Sequence, residues 1–269
     1  MLEAPGPILF SEQPGVRSSL APAPTVLKPA LPGPGIVHVW VGSVDLPAST
    51  LARAIEIFSR DELARAARFH FDKDRNRYIA AHSYLRRLLG AYLSVRPHEL
   101  RFEHNAKGKP ALVGTAAGTG VQFNLTHSDS LMLVAVSSDV QVGVDVESIR
   151  SLPDAEELVA RFFSCRERLK FKSLPQEQRD IAFFNLWTRK EAWLKATGEG
   201  ISNLLDQVEV GFVPGEPACL DQLPPGFPGT GNWTICDLAP EPGFAAAVAT
   251  PVPRALVRLQ RLSGEIVGN

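Results

Sequence analysis

The chain has little with which to cross-link itself or to enter a membrane. Its three cysteines, Cys165, Cys219 and Cys236, are scattered through 269 residues. They form no C-x-x-C pair, and no histidine stands at zinc-ligand spacing from them, which argues against a disulfide framework or structural zinc and suits a reducing compartment. No apolar run approaches the roughly 18–20 residues of a membrane span, and the N-terminus lacks the basic-then-apolar layout of a secretory signal. A cytoplasmic protein without membrane or nucleic-acid partners is therefore expected. Charge of one sign is also missing. With 28 Lys and Arg against 29 Asp and Glu the formal net charge is −1, so no global field draws polyanions, and any such binding has to come from a local cluster.

What the chain has is proline at one end and a core's worth of apolar residues after it. Residues 1–35 carry Pro5, Pro7, Pro14, Pro22, Pro24, Pro29, Pro32 and Pro34; such a segment is expected to form an extended arm that holds neither a helix nor a sheet ladder. The whole chain is 45% hydrophobic and 21% charged, ordinary for a globular fold of one large or two smaller domains.

The most informative stretch is Gly143-Val144-Asp145-Val146-Glu147. Valines at every second position give residues 142–147 one apolar strand face, and Gly143, Asp145 and Glu147 share the other. Side-by-side carboxylates repel, and a hard divalent cation with oxygen ligands supplies a reason to keep them next to a valine core. Downstream, Trp187, Glu191 and Lys195 are spaced i, i+4, i+8 and stack along one helical face. Glu191 completes a cation site begun by Asp145 and Glu147, and Lys195, one turn on, reaches an anion on that cation. Taken singly, a solvated strand face and an ordinary helical ion pair account for these residues equally well; together they point to metal and phosphate.

The order of elements occurs twice. A strand at 36–41 precedes the capping box Ser59-Arg-Asp-Glu62 and a helix at about 73–93; a strand at 142–147 precedes the capping box Ser164-Cys-Arg-Glu167 and a helix at about 180–196. Phe58-Ser59 and Phe163-Ser164 share an offset of 105 residues with Val37, Val39, Val41 and Val142, Val144, Val146. An internal duplication follows: an α+β protein of two similar halves related by a pseudo-twofold, residues 36–138 and 139–262, after the arm at 1–35. At this offset Asp145 matches Trp40 and Glu191 matches Arg86, so the acidic set belongs to the second half alone.

Between the halves lie Lys107-Gly108-Lys109-Pro110, a turn with two ammonium groups, and Phe123-Asn124-Leu125-Thr126-His127-Ser128, a strand end with Thr, His and Ser together. His127 can donate a ring N–H to a phosphate, more strongly as imidazolium; a structural histidine is the alternative. The basic cluster Arg65, Arg68, Lys73, Arg75, Arg77 is mixed with Asp72 and Asp74, which fits a solvated face with one or two members turned to the cleft.

Gly108-Lys109-Pro110, Phe123-Asn124-Leu-Thr-His127-Ser128, Gly143-Val-Asp145-Val-Glu147, Arg161-Phe-Phe-Ser164 and Trp187-Thr-Arg-Lys190-Glu191-Ala-Trp-Leu-Lys195, in this order, resemble the Sfp-type 4'-phosphopantetheinyl transferases over about residues 36–250. The resemblance implies transfer of the phosphopantetheine arm of coenzyme A to a serine of an acyl or peptidyl carrier protein of polyketide or non-ribosomal peptide synthases, by a monomer. It implies Mg2+ held by Asp145, Glu147 and Glu191, and Lys195 on the coenzyme A phosphates. Asn124, Thr126 and His127 would lie at the nucleotide phosphate, Lys107, Gly108, Lys109 and Pro110 beside the adenylate, and Lys73 and Arg77 would add basic contacts. Glu191 is the first candidate for the base that activates the serine and Lys190 the second, a lysine needing a lowered pKa for that task. Family members carry lysines just after the first capping serine, where this chain has Asp61 and Glu62. A non-catalytic coenzyme A or nucleotide-binding regulator and a Mg2+-dependent hydrolase of nucleotide anhydrides remain as alternatives.

Overall fold

The computed structural model describes residues 16–18, 29–200 and 204–262. The first half contains β2 (Ile36–Ser43) after the short β1 (Val16–Ser18), then α1 (Ala48–Ala54), α2 (Arg60–Ala66), α3 (Asp72–Leu93), and strands β3 (Arg101–His104), β4 (Pro110–Val113), β5 (Val121–Ser128) and β6 (Leu131–Ser138). The second runs through β7 (Gly143–Ser148), α4 (Ala155–Phe162), α5 (Cys165–Ser173), α6 (Gln176–Thr197), β8 (Glu209–Val210), β9 (Leu220–Gln222), β10 (Thr234–Leu238), β11 (Phe244–Thr250) and β12 (Leu256–Arg261).

The expected α+β class is the observed one, and the repeat of elements extends to the pairing. In the first sheet β2 pairs with β6 and β6 with β5; in the second β7 pairs with β11 and β11 with β10, all antiparallel. Each half thus places its first strand beside its last, with the middle strand outermost. Both long helices are 22 residues, and both capping boxes form with serine and glutamate reciprocating. Helix α6 starts earlier than the apolar period indicates because its first turn, Gln176–Arg179, is polar and is set by Pro175 immediately before it.

The layers follow from strand alternation. Val37, Val39 and Val41 of β2 pack against Val142, Val144 and Val146 of β7 with β6, β11 and β12 contributing, so the valine faces of the two sheets meet in one buried cluster. The opposite face of β2 lies against α3, and that of β7 against α6. Two departures from expectation involve the ends of the chain. The C-terminal strand β12 runs parallel to β2 and so extends the first sheet. On its far side β12 pairs in parallel with Val16–Ser18, which corrects the expectation that the arm holds no sheet ladder. Residues 15–21 are free of proline, so the backbone donors a ladder needs are present there. The rest of the expected arm, residues 1–15 and 19–28, lies outside the described residues. No helix among the described residues is long and apolar enough to cross a membrane.

Candidate active site

The site is built where the two sheets meet edge to edge. One edge of β7 pairs with β11; along its other edge the partners are side chains of β5. Asn124 Oδ1 accepts from the Val144 amide at 2.9 Å, and Ser128 Oγ accepts from the Ser148 amide at 3.1 Å. Between them Thr126 Oγ1 donates to Asp145 Oδ1 at 3.1 Å, and Ser128 Oγ donates to Glu147 Oε2 at 2.8 Å. The alternating polar face 124, 126, 128 thus clamps the acidic face of β7. The sequence places Thr126 at a phosphate and groups Ser128 with it without giving it a role; their period-two spacing is the available signal.

Helix α6 closes the site from above, and Gly143 is what lets it come down. A β-carbon on Gly143 would stand 2.1 Å from the Ala192 carbonyl oxygen and 2.2 Å from the Ala196 amide nitrogen. Helix backbone therefore rests directly on the strand, which brings Glu191 and Lys195 over Asp145. Lys195 Nζ lies 2.5 Å from Asp145 Oδ1 and donates to Thr126 Oγ1 at 3.2 Å. Asp145 Oδ2 and Glu191 Oε1 are shut off from solvent without a hydrogen-bond partner.

These carboxylates feel burial and one another. Burial, reinforced by the charges of Asp145 and Glu147 and opposed by Lys195, pushes Glu191 up to about 7. Burial also raises Asp145 in spite of Lys195, and raises Glu147 in spite of its bond from Ser128. Arg150, which sequence reading missed, stands 3.9 Å from Glu147 Oε2 and packs over the Phe184 ring. Among the described residues no three His, Cys, Asp or Glu side chains form a group that could hold a metal ion; the Lys195 ammonium is the cation that Asp145 meets. The donor set nevertheless fits a hard divalent ion, because Mg2+ is commonly held by one or two carboxylates together with water and phosphate oxygens, and two buried carboxylate oxygens here have no other use.

Around this centre the expected residues fall into two groups. His127 stands at the end of β5; partial burial of its ring, then neighbours that include Lys195 and Arg77, lowers its pKa. Arg77 reaches the same hairpin, donating to Asp129 at 2.7 Å and to Asp45 at 3.2 Å, with Lys73 Nζ 3.9 Å from Asp129. The β3–β4 turn is organised by Asn105, whose Oδ1 accepts from the Lys107 and Lys109 amides while Gly108 takes a positive φ; Pro110 opens β4 opposite His104. Lys107 is exposed beside Gly200.

Three expected site residues are engaged elsewhere. Lys109 Nζ donates to the Val142 and Ala196 carbonyls at 3.2 and 3.0 Å, tying the end of α6 to the start of β7, and burial pulls it down to about 8. Asn124 spends its side-chain oxygen on the Val144 amide. Lys190 is fully buried, 2.6 Å from Glu167 Oε2 and 2.5 Å from the Leu205 carbonyl, and the structure does not bring it to the carboxylates. Its counterpart is Arg86, buried on α3 and bonded to Glu62 at 2.6 Å; the two long helices start 104 residues apart, so Arg86 matches Lys190, which corrects the match with Glu191 expected from the 105-residue offset. In each half a buried cation of the long helix holds the glutamate of the capping box. Glu62, in a segment where family members carry lysine, is thereby part of the frame.

Two family models cover this architecture. The 4'-phosphopantetheinyl transferase superfamily model matches residues 141–248, and the 4'-phosphopantetheinyl transferase N-terminal model matches residues 47–139. The chain belongs to the 4'-phosphopantetheinyl transferase superfamily and is an enzyme of that type. It is 43% identical to 4'-phosphopantetheinyl transferase HetI of Nostoc sp. strain PCC 7120 over 79% of this chain and 86% of the relative. It is 34% identical to 4'-phosphopantetheinyl transferase psf-1 of Bacillus pumilus over 54% and 59%, and 25% identical to 4'-phosphopantetheinyl transferase Sfp of Bacillus subtilis strain 168 over 59% and 68%.

Proposed function

We propose that this chain transfers the 4'-phosphopantetheine group of coenzyme A to a serine of apo carrier proteins of polyketide or non-ribosomal peptide synthases, acting as a cytoplasmic monomer. The observation that carries the reading is the buried, partnerless pair Asp145 Oδ2 and Glu191 Oε1 beside Lys195. The serine oxygen attacks the phosphorus that bears the pantetheine arm, the anhydride P–O bond breaks, and adenosine 3',5'-bisphosphate leaves with the bonding pair.

Glu191, which helix α6 holds over Asp145, takes the serine proton, directly or through a water. Lys195 balances negative charge building on the pyrophosphate oxygens, and a ring N–H of His127 with the Arg77 and Lys73 cations receives the remaining phosphate. Asp145 and Glu191, whose buried oxygens have no partner, would hold Mg2+ with Glu147 drawn in beside them, and the ion would supply Lewis-acid neutralisation of the phosphate oxygens. Thr126 and Ser128 fix the carboxylates, so little reorganisation is needed at the moment of transfer. For the carrier, Leu169 on α5 offers a strongly exposed apolar contact beside the buried Phe171, suited to packing on an amphipathic helix.

The test is intact-mass spectrometry of an apo carrier protein incubated with this protein, coenzyme A and Mg2+. A gain of about 340 Da that disappears with EDTA and in Asp145→Ala supports the transfer and the metal role together. No gain on several carrier types, with coenzyme A still bound, overturns the reading in favour of a binding protein.

A further inference from the structure

We infer that a second anion site, for the phosphate group of a small molecule, lies on the first half between α1, the C-terminal part of α3 and the turn at residues 96–98, apart from the carboxylate centre. A cavity of about 340 Å³ opens there, and three arginines, Arg53, Arg87 and Arg96, are among its lining residues together with His98. Glu56 is the one carboxylate among the lining residues. In a chain whose net charge is −1, three arginines around one concavity are a local excess that folding by itself opposes.

The arginines are not consumed by the protein in the way Arg86 is. Arg96 is shared with Glu99, both of its donors falling on a single carboxylate oxygen. Arg87 is half-buried, and its Nε is closed off from solvent with no hydrogen-bond partner. Burial, then the nearby charge of Arg53, lowers Arg87 below the usual guanidinium value, with Glu56 opposing. Two like charges held close around a partly desolvated fork are relieved by an anion between them. Guanidinium forks match the paired oxygens of a phosphate, and an imidazole N–H adds a further donor. Ile57 and Pro97 complete the wall with apolar surface, which limits hydration and strengthens such contacts.

The site is separate from the one already described. Arg87 lies ten residues beyond Arg77 on the same helix, about 15 Å along its axis, and none of the lining residues belongs to the carboxylate centre.

The test is titration of the full chain with inorganic phosphate at constant ionic strength, read through the His98 ring resonances. Saturable shifts that chloride and acetate do not reproduce are expected, weakened about tenfold in Arg53→Ala and in Arg96→Ala, a factor typical of one lost charge-assisted contact. Both side chains are exposed, so these variants fold. Adenosine monophosphate as a parallel titrant separates the sources: equal affinity assigns free phosphate, tighter binding a nucleotide. The shifts persist in Lys195→Ala, and Arg53→Ala modifies a carrier at the wild-type rate. Absence of saturation, equal response to acetate, or unchanged affinity in both arginine variants would overturn the site. Loss of the His98 shifts in Lys195→Ala would overturn its separateness. Neither result bears on carrier modification, which is read independently.

Discussion

The two halves diverge most at three positions on the strand face beneath each long helix. On β2 that face carries His38, Trp40 and Gly42; on β7, at the offset of 105 residues, it carries Gly143, Asp145 and Glu147. In the first half the bulky pair meets Tyr92 of α3: its hydroxyl accepts from Trp40 Nε1 at 2.8 Å and lies 2.8 Å from His38 Nδ1. In the second half the glycine lets α6 settle onto the strand, and the acid meets Lys195. One frame therefore holds an aromatic plug on one side and a buried charge cluster on the other. The shared part, Arg86 with Glu62 and Lys190 with Glu167, stabilises; the differing part carries the proposed chemistry.

The largest effect expected from breaking this comparison is at the shared part. Removing one partner of a buried pair leaves the other charge stranded at about 3–5 kcal/mol. Lys190→Met and Arg86→Met should each lower stability by that order in urea unfolding. Adding Glu167→Gln to Lys190→Met should recover much of the loss. A Lys190→Met, Glu167→Gln protein that folds and still modifies carriers removes Lys190 from the list of bases; one that folds but is inactive returns it there.

Next come the glycines. Gly143→Ala drives a β-carbon into helix backbone that cannot rotate away, so a loss of about 3 kcal/mol or more is expected, together with carrier modification. On β2 the position matching Gly143 is His38, and the glycine of that face stands at its other end: a β-carbon on Gly42 meets only Leu262 and the Tyr84 ring at 3.6 Å, ordinary contact, and Gly42→Ala should change stability by less than about 1 kcal/mol. Equal losses at the two positions would dissolve the claim that α6 is seated more closely than α3.

How much of this was legible beforehand divides along the same line. The alternation at 142–147 and both capping boxes are local patterns, and each appears in the structure as an element or a cap. The acidic face and the helical face bearing Glu191 and Lys195 were also legible, because period fixes which side chains share a face. Which partner a side chain takes across the molecule was not. Lys190 is adjacent in sequence to Glu191, yet one residue of helix turns it by about 100°, into the Glu167 pocket. Lys109 reads as an exposed turn lysine and instead ties two carbonyls of the second half. The role of Gly143 depends on the separation of strand and helix, which no spacing within the strand encodes.

The third expected effect concerns pH. The folded value of Glu191 is about 7 against an ordinary 4.5, so the folded state binds the extra proton between those values. Its contribution is fully present below about pH 4.5 and is lost as pH rises through 7, amounting to about 3 kcal/mol across that window. Glu191→Gln should flatten this part of the stability profile in EDTA, making the variant the more stable protein at pH 8 while abolishing transfer. Magnesium should narrow the gap at pH 8 by stabilising the wild type. A wild-type profile already flat between pH 5 and 8 would mean that the carboxylates are not held in the crowded, desolvated arrangement described here.

The smallest effect tests the silent half. Tyr92→Phe deletes the hydroxyl that Trp40 Nε1 donates to, and leaves that buried indole N–H without its partner. The penalty for such a group is about 1–3 kcal/mol, and the low end is expected because His38, held near 4 by burial and the neighbouring Arg258, stays neutral and adds no stranded charge. Carrier modification should be unchanged, since Trp40, Tyr92 and His38 lie against the far side of the first sheet from the valine layer that joins the halves. A Tyr92→Phe protein that is as stable as the wild type but slow in transfer would show that the aromatic plug also serves the reaction, and the division of labour between the halves would have to be redrawn.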